Sequence, residues 1–293
     1  MATDKKSLTG TLLVIASGIL WGLMGIFVRS LTTFGLSSMQ IVSLRVTLAA
    51  VILAAMLAIK DRRLFRIKLK DIWCFIGTGI CSIAFFSFCY FTTIKLTSLS
   101  AAAILLYTAP IMVTIMAAIL FKEKITVKKV IAALAAVSGC ALVTGVFGGG
   151  FSVSGMGILT GLGAAFGYAL YSIFGRYAIN RGYGSMTITF WTFLFAAVGT
   201  LPLANIPDMA EKISAAPSAL IVTALMAVVV TVLPYLCYTA GLDRIESGKA
   251  SVIASVEPVM ATVVGAVVFH EGLTLSAAAG IVLVIASIFL LKE

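Results

Sequence analysis

The sequence predicts an all-α membrane protein of ten transmembrane helices in two inverted five-helix repeats, and three observations predict it. The first is composition. The 293 residues are 61% hydrophobic and 11% charged, with a mean hydropathy of +1.15, whereas soluble domains run near about 45–50% apolar and about 25% charged. The second is internal repetition. Gly10, Trp21, Phe27 and Arg29 return 147 residues later as Gly157, Tyr168, Phe174 and Arg176. Tyr90, Ala102, Pro110, Thr114, Phe121 and Glu123 return 148 residues later as Tyr238, Ala250, Pro258, Thr262, Phe269 and Glu271. The third is charge placement. Alternating the loops from side to side puts 17 of the 21 Lys and Arg on the face that carries both termini. Only Arg29, Lys95 and Lys212 face the other way, and Arg45 lies within a span. Cytoplasmic loops hold such an excess, so a cytoplasmic (inner) membrane protein with both termini in the cytoplasm is expected.

A helix needs about 20 apolar residues to cross roughly 30 Å of hydrocarbon. Spans are expected near 10–28, 38–59, 72–94, 98–121, 127–146, 152–175, 185–204, 218–240, 248–269 and 274–291. They are apolar on all faces, whereas the strands of a membrane β-barrel alternate. Span one follows Lys5 and Lys6 like a secretory signal, but it is too long, lacks a small-x-small cleavage site and is followed by Arg29. It is expected to be retained. Span two carries Arg45, and the basic stretch 60–70 after it reads as an interfacial connector near anionic headgroups. Span three carries Tyr90, and span four carries Tyr107 and Pro110. Span five ends at uncharged Gly148, Gly149 and Gly150. These glycines suit an external linker over 147–152, between a first repeat at 1–146 and a second at 153–293. Five is an odd number, so the second repeat starts on the opposite side, and a pseudo-two-fold axis lies in the membrane plane. Spans six to ten then repeat the plan, with Tyr168 and Tyr171 on six, Pro234 and Tyr238 on eight, and Glu257 and Pro258 on nine.

Intramembrane groups that hydrocarbon cannot satisfy are the candidates for chemistry. Pro110 and Pro258 each remove an amide donor and free the carbonyl four residues earlier, at Leu106 and Ala254. Such a carbonyl must face protein or a hydrated cavity, which makes both prolines structural or gating candidates. Arg45 joins them, with a stem long enough to snorkel to the outer interface. Glu257 lies close to the midplane, where a charge costs about 2.5–3.5 kcal/mol on insertion scales, so it is expected to face the bundle interior. Ala250, Ala254, Ala261 and Gly265 share its stripe at three- and four-residue spacing. Glu257 is thus the candidate for substrate contact and for proton or cation coupling. Trp21, Tyr90, Tyr107, Tyr168, Tyr171 and Tyr238 are candidates to line a pocket by stacking and hydroxyl contacts, with core packing as the alternative.

Other signals point away from enzymes and nucleic acid. The five cysteines lie inside spans without metal-type spacing, and His270 reads as a solvated loop residue. Gly161-Leu162-Gly163 follows no strand and is no dinucleotide loop. No nucleophile–base pair, metal cluster or phosphate loop is visible, so neither enzymatic activity, a cofactor nor a metal is expected. The net charge of +10 is accounted for by topology, not by a nucleic-acid partner.

Several of these residues carry a resemblance. Trp21-Gly22, Arg45 with Ala49, Pro110 followed by Phe121-Lys122-Glu123, and the run Glu257-Pro258-Val259, Ala261, Gly265, Glu271 resemble EamA-type members of the drug/metabolite transporter superfamily. The likeness covers almost the whole chain. It implies ten helices in two inverted repeats, with a central cavity built from spans one, three, four, six, eight and nine. Trp21, Tyr90, Tyr107, Tyr168, Tyr238 and Glu257 match positions that line it. The second repeat departs from the first, with Tyr168 in place of Trp21 and Thr192 at the position of Arg45. The expected function is secondary transport of a small polar metabolite, an amino acid or related compound, outward and by alternating access around a midplane cavity. The alternatives are export of lipophilic or cationic drugs by the same architecture, and a non-transporting membrane scaffold. The expected partners are a small-molecule substrate and the lipid bilayer, with the protein a monomer or homodimer.

Overall fold

Hydrocarbon offers no hydrogen-bond partner, so a spanning chain must satisfy its backbone internally. In the computed structural model, which describes residues 2–144 and 154–291, the chain does this with helices, and no strand occurs among the described residues. Eight helices are long and apolar enough to cross a membrane: α1 (Lys5–Thr33), α2 (Ser38–Lys60), α3 (Leu69–Leu96), α4 (Leu99–Phe121), α6 (Gly155–Asn180), α7 (Ser185–Leu203), α8 (Ser218–Leu242) and α9 (Ser247–Val268). Two shorter apolar helices, α5 (Val127–Val143) and α10 (Leu275–Leu290), pack against each other. The expected linker at 147–152 lies outside the described residues. Helix α6 runs on to Asn180, so Arg176 sits in its last turns rather than in the loop where the hydropathy drop placed it.

Local chemistry sets the helix ends. Ser37 and Gln40 form a reciprocal capping box at the start of α2. Ser98, Thr126, Ser154 and Thr274 each accept from the amide three residues on, at Ala101, Lys129, Gly157 and Ala277. Helices α4 and α9 end alike. Lys122 and His270 take the left-handed conformation (φ 58° and 55°). The next amides then reach back, Glu123 N to Ala117 O at 3.3 Å and Glu271 N to Gly265 O at 3.0 Å.

Interior irregularities also fall at matched positions. Helix α4 breaks at Tyr107 and Thr108, and α9 breaks at Ser255, each just ahead of its buried proline, Pro110 or Pro258. The π-helical turns Gly77–Ala84 in α3 and Val228–Val232 in α8 end 148 residues apart. Pro234 follows the second, whose wider turn absorbs the missing donor. Of the expected small-residue stripe, Ala250, Ala254 and Gly265 are buried, but Ala261 is exposed.

Glycine permits the closest helix approaches, as expected where apolar solvent provides no drive to associate and contact alone must hold helices together. A Cβ on Gly139 would lie 2.9 Å from the Gly280 carbonyl oxygen, and one on Gly280 2.5 Å from that of Gly139. Gly280→Val should therefore destabilise the α5–α10 pair by about 1–3 kcal/mol. Thermal unfolding in detergent should show a lowered midpoint, while Gly25→Ala, which meets no neighbour within 4 Å, should leave it unchanged.

Basic helix ends converge on one side. Arg181 pairs with Asp71 at 3.0 Å, and the Tyr183 hydroxyl donates to the same carboxylate at 2.9 Å. A helix the hydropathy reading missed, Ile206–Ala215, lies between α7 and α8 with Met209 buried under it. Its Asp208 accepts from Gln40 and Lys212, both at 2.6 Å, and these bonds hold the carboxyl below the usual range. Cysteines 74, 89 and 140 are buried as expected, whereas Cys81 is exposed.

Candidate substrate site

The site begins with two glycines on α1. A Cβ on Gly18 would meet Val256 at 2.4 Å, and one on Gly22 would lie 2.9 Å from the Glu257 carbonyl oxygen. Helix α1 therefore rests directly on the backbone of α9 where α9 is broken. Between the glycines, Trp21 points into an aromatic cluster. Its ring centroid is 5.1 Å from that of Tyr235 and 5.4 Å from that of Tyr238. Tyr171 closes the group, 5.0 Å from Tyr235 and 6.0 Å from Tyr238. Hydroxyls that would otherwise be buried without partners are bonded. Tyr238 shares a hydrogen bond of 2.7 Å with Ser172, and Tyr171 one of 2.7 Å with Thr239.

These rings leave a cavity of about 20 Å³, lined also by Ser82, Phe86 and Tyr168. That holds about one water molecule. Phe86 carries the ring contacts on to Tyr90 at 5.6 Å and Tyr168 at 6.0 Å. Glu257 lies deep in the bundle yet retains some solvent accessibility, unlike the fully packed Ala254 before it. Tyr90 and Tyr107 are within electrostatic reach of its carboxyl, Tyr107 from the side of Cys140 on α5. All seven aromatic and acidic positions singled out in the sequence thus fall in one connected region.

Two features of this region were not expected. Tyr235 sits at the centre of the cluster, touching Trp21, Tyr171 and Phe193. Its only sequence signal was its three-residue spacing from Tyr238. Arg45 does not snorkel. It is 6% exposed, and one of its terminal nitrogens faces Met24 of α1. A larger cavity of about 520 Å³ opens at the basic end, bordered by Glu123, Arg176, Asp243, Arg244, Glu246 and Lys249. None of the candidate substrate residues lines it.

The EamA-like transporter family model matches the chain twice, over residues 8–145 and 155–292. The chain belongs to the EamA-like transporter family. It is a multi-pass membrane protein of the drug/metabolite transporter class, and the two matches coincide with the internal duplication. It is 26% identical over 289 residues to the uncharacterized transporter YetK of Bacillus subtilis (strain 168), covering 97% of this chain and 84% of that one. An uncharacterized transporter of Archaeoglobus fulgidus is 25% identical over 272 residues, 92% of this chain and 94% of its own. A crystal structure titled only as that of a protein superposes with a TM-score of 0.79 at 18% identity, covering 96% of this chain and 95% of the other. That likeness establishes the fold. Around Glu257, α1 meets the broken α9 through Gly18 and Gly22. Gly22→Val, which would bring a Cβ within 2.5 Å of that of Met260, is expected to displace α9 there. Reconstituted flux should fall by about tenfold or more, the scale at which misplaced binding groups lose rate, with secondary structure by circular dichroism unchanged.

Proposed function

We propose that this EamA-family protein is a secondary transporter of the cytoplasmic membrane that exports a small polar metabolite, an amino acid or related compound. It crosses the bilayer ten times, with α5 and α10 as the remaining spans, in two inverted five-helix repeats whose shared centre is the aromatic cluster. Both termini face the cytoplasm. The repeats rock about that centre and expose it alternately to the two sides. Glu257 serves as the partner of a proton or of a substrate ammonium, Trp21 and the tyrosines give the pocket its shape, and Pro110 and Pro258 place flexible breaks on either side.

Support comes from one observation above all. Glu257, a partly buried residue, lies inside a helix long and apolar enough to cross the membrane, next to the break in α9. An intramembrane acid is costly, and in transporters it marks a solute or ion path. The matched helix ends and π-helical turns support the paired architecture. The cavity of about 20 Å³ is too small for an amino acid, which fits a cluster that parts during each cycle.

Counterflow in proteoliposomes tests the proposal. A radiolabelled mixture of L-amino acids should exchange saturably, and vesicles of defined orientation give the direction. Saturable efflux of cationic dyes without amino-acid exchange would replace the substrate class. Absence of any carrier-mediated flux across a metabolite panel would remove the transport mechanism.

A further inference from the structure

Arg45 is the one buried charged group in this region that the mechanism above leaves unused. Its residue is 6% exposed, and its Nε is buried with no hydrogen-bond partner. One terminal nitrogen faces the Met24 sulfur at 3.9 Å, a weak acceptor. Among the described residues no carboxylate lies within 4.0 Å of it, although other arginines, such as Arg29 and Arg181, have ion-pair partners. A guanidinium carries five donors and cannot lose its charge in a protein. Buried this way, it leaves an unmet demand for an anion.

The placement says which anion. Met24, which Arg45 faces, packs together with Tyr235 against the Trp21, Tyr171 and Tyr238 cluster, so the guanidinium reaches the edge of that cluster. Helix α1, which carries Trp21 into the cluster, thus meets a guanidinium of α2 at Met24 and the Glu257 turn of α9 at Gly18 and Gly22. Two opposite charges held apart by an apolar, aromatic wall complement a zwitterion: a carboxylate for the planar fork of Arg45 and an ammonium for Glu257. A simple cation would satisfy Glu257 but be repelled by Arg45.

We infer that Arg45 is the carboxylate-recognising residue of the substrate site, so that the solute carries both a carboxylate and an amine. The inference rests on the transport function proposed above and narrows its substrate. In counterflow with wild-type protein, the amino acid that exchanges fastest should be compared with its carboxamide and with its decarboxylated amine. Both analogues should compete about 10- to 100-fold more weakly, as expected for loss of a charge-assisted contact. This comparison needs no variant. Arg45→Met, checked as monodisperse by gel filtration, should raise the KM for the amino acid over the same range. It should leave the amine unaffected or improved, and Arg45→Lys should recover part of the loss. Equal competition by acid, amide and amine, or an unchanged KM in Arg45→Met, overturns the role of Arg45 while leaving transport intact. Flux of other solutes with no amino-acid exchange at all overturns the substrate class itself.

Discussion

Glu257→Gln is expected to abolish coupled transport while leaving the protein folded and more resistant to heat. Glutamine matches the volume of glutamate and keeps one carbonyl acceptor. What it lacks is an ionisable group. If the carboxyl carries a proton through the cycle, flux driven by an imposed pH gradient disappears, and any residual exchange no longer depends on pH. If it holds the substrate ammonium, affinity falls by about 10- to 100-fold, the loss of a charged hydrogen bond. Stability should move the other way. The carboxyl is deep in the bundle with no ion-pair partner among the described residues. Burying an unpaired charge is costly, so removing it from such a site should stabilise. The midpoint of thermal unfolding should therefore rise as flux falls, a pairing that a merely structural glutamate would not produce. Unchanged pH-dependent flux in a folded Glu257→Gln protein excludes this residue from the mechanism.

Much of the fold was legible because membrane burial writes itself into long apolar runs. Duplication then supplied a second reading of every weak signal. Pro110 and Pro258 announced the breaks in α4 and α9 because a missing amide has a fixed local consequence. The π-helical turn at Gly77–Ala84 had no such announcement. It contains no proline, and it forms where Gly77 and Gly79 let α3 settle against Phe174 and the Thr192 carbonyl. Tertiary contact decides that geometry, not local propensity. The helix Ile206–Ala215 escaped notice for a related reason: its ten residues bury only Met209 and carry too little apolar surface to stand out.

The site shows the same division. Trp21, Tyr168 and Tyr238 were visible because they sit on duplicated segments. Tyr235 has Ser87 at the aligned position 148 residues earlier, so repetition gave no hint of it. Arg45 was misplaced by a linear measure. Its distance from the end of α2 allows snorkelling, yet in space it is buried against Met24 of α1. The continuous stripe around Glu257 assumed an unbroken helix, but α9 breaks at Ser255 and Ala261 is exposed, while Gly265 is buried as expected.

Glu123→Gln is expected to release the basic end of the bundle. The Ser247 and Gly248 amides donate to the Glu123 carboxylate at 2.8 and 3.2 Å, which caps the first turn of α9. Arg176 braces the same turn, donating from Nε to the Ser247 hydroxyl at 3.1 Å and from a terminal nitrogen to the Ile245 carbonyl. Ser247 is wholly buried there. The aligned residues at the opposite end behave differently. Glu271 pairs with Arg29 at 2.5 Å with both side chains about half exposed, the start of α4 is capped by Ser98 alone, and Leu99 is 64% exposed. One end is latched by a carboxylate from the other repeat, and its counterpart is not. Alternating access requires those two conditions to exchange. Glutamine keeps one acceptor but loses the charge that opposes the positive end of the α9 dipole, worth about 1–3 kcal/mol with the hydrogen bonds. That shifts the balance of latched and unlatched forms by about 10- to 100-fold. In a cysteine-free background, Ser251→Cys reports it directly, since Ser251 is 2% exposed one turn inside the latch. A membrane-impermeant maleimide applied from the basic side should label this cysteine slowly in wild type and at least about tenfold faster with Glu123→Gln. Glu271→Gln should not accelerate labelling from that side, because its carboxylate holds nothing there. Equal labelling rates in all three proteins would mean that the α9 cap is a static part of the scaffold, and that access is controlled elsewhere.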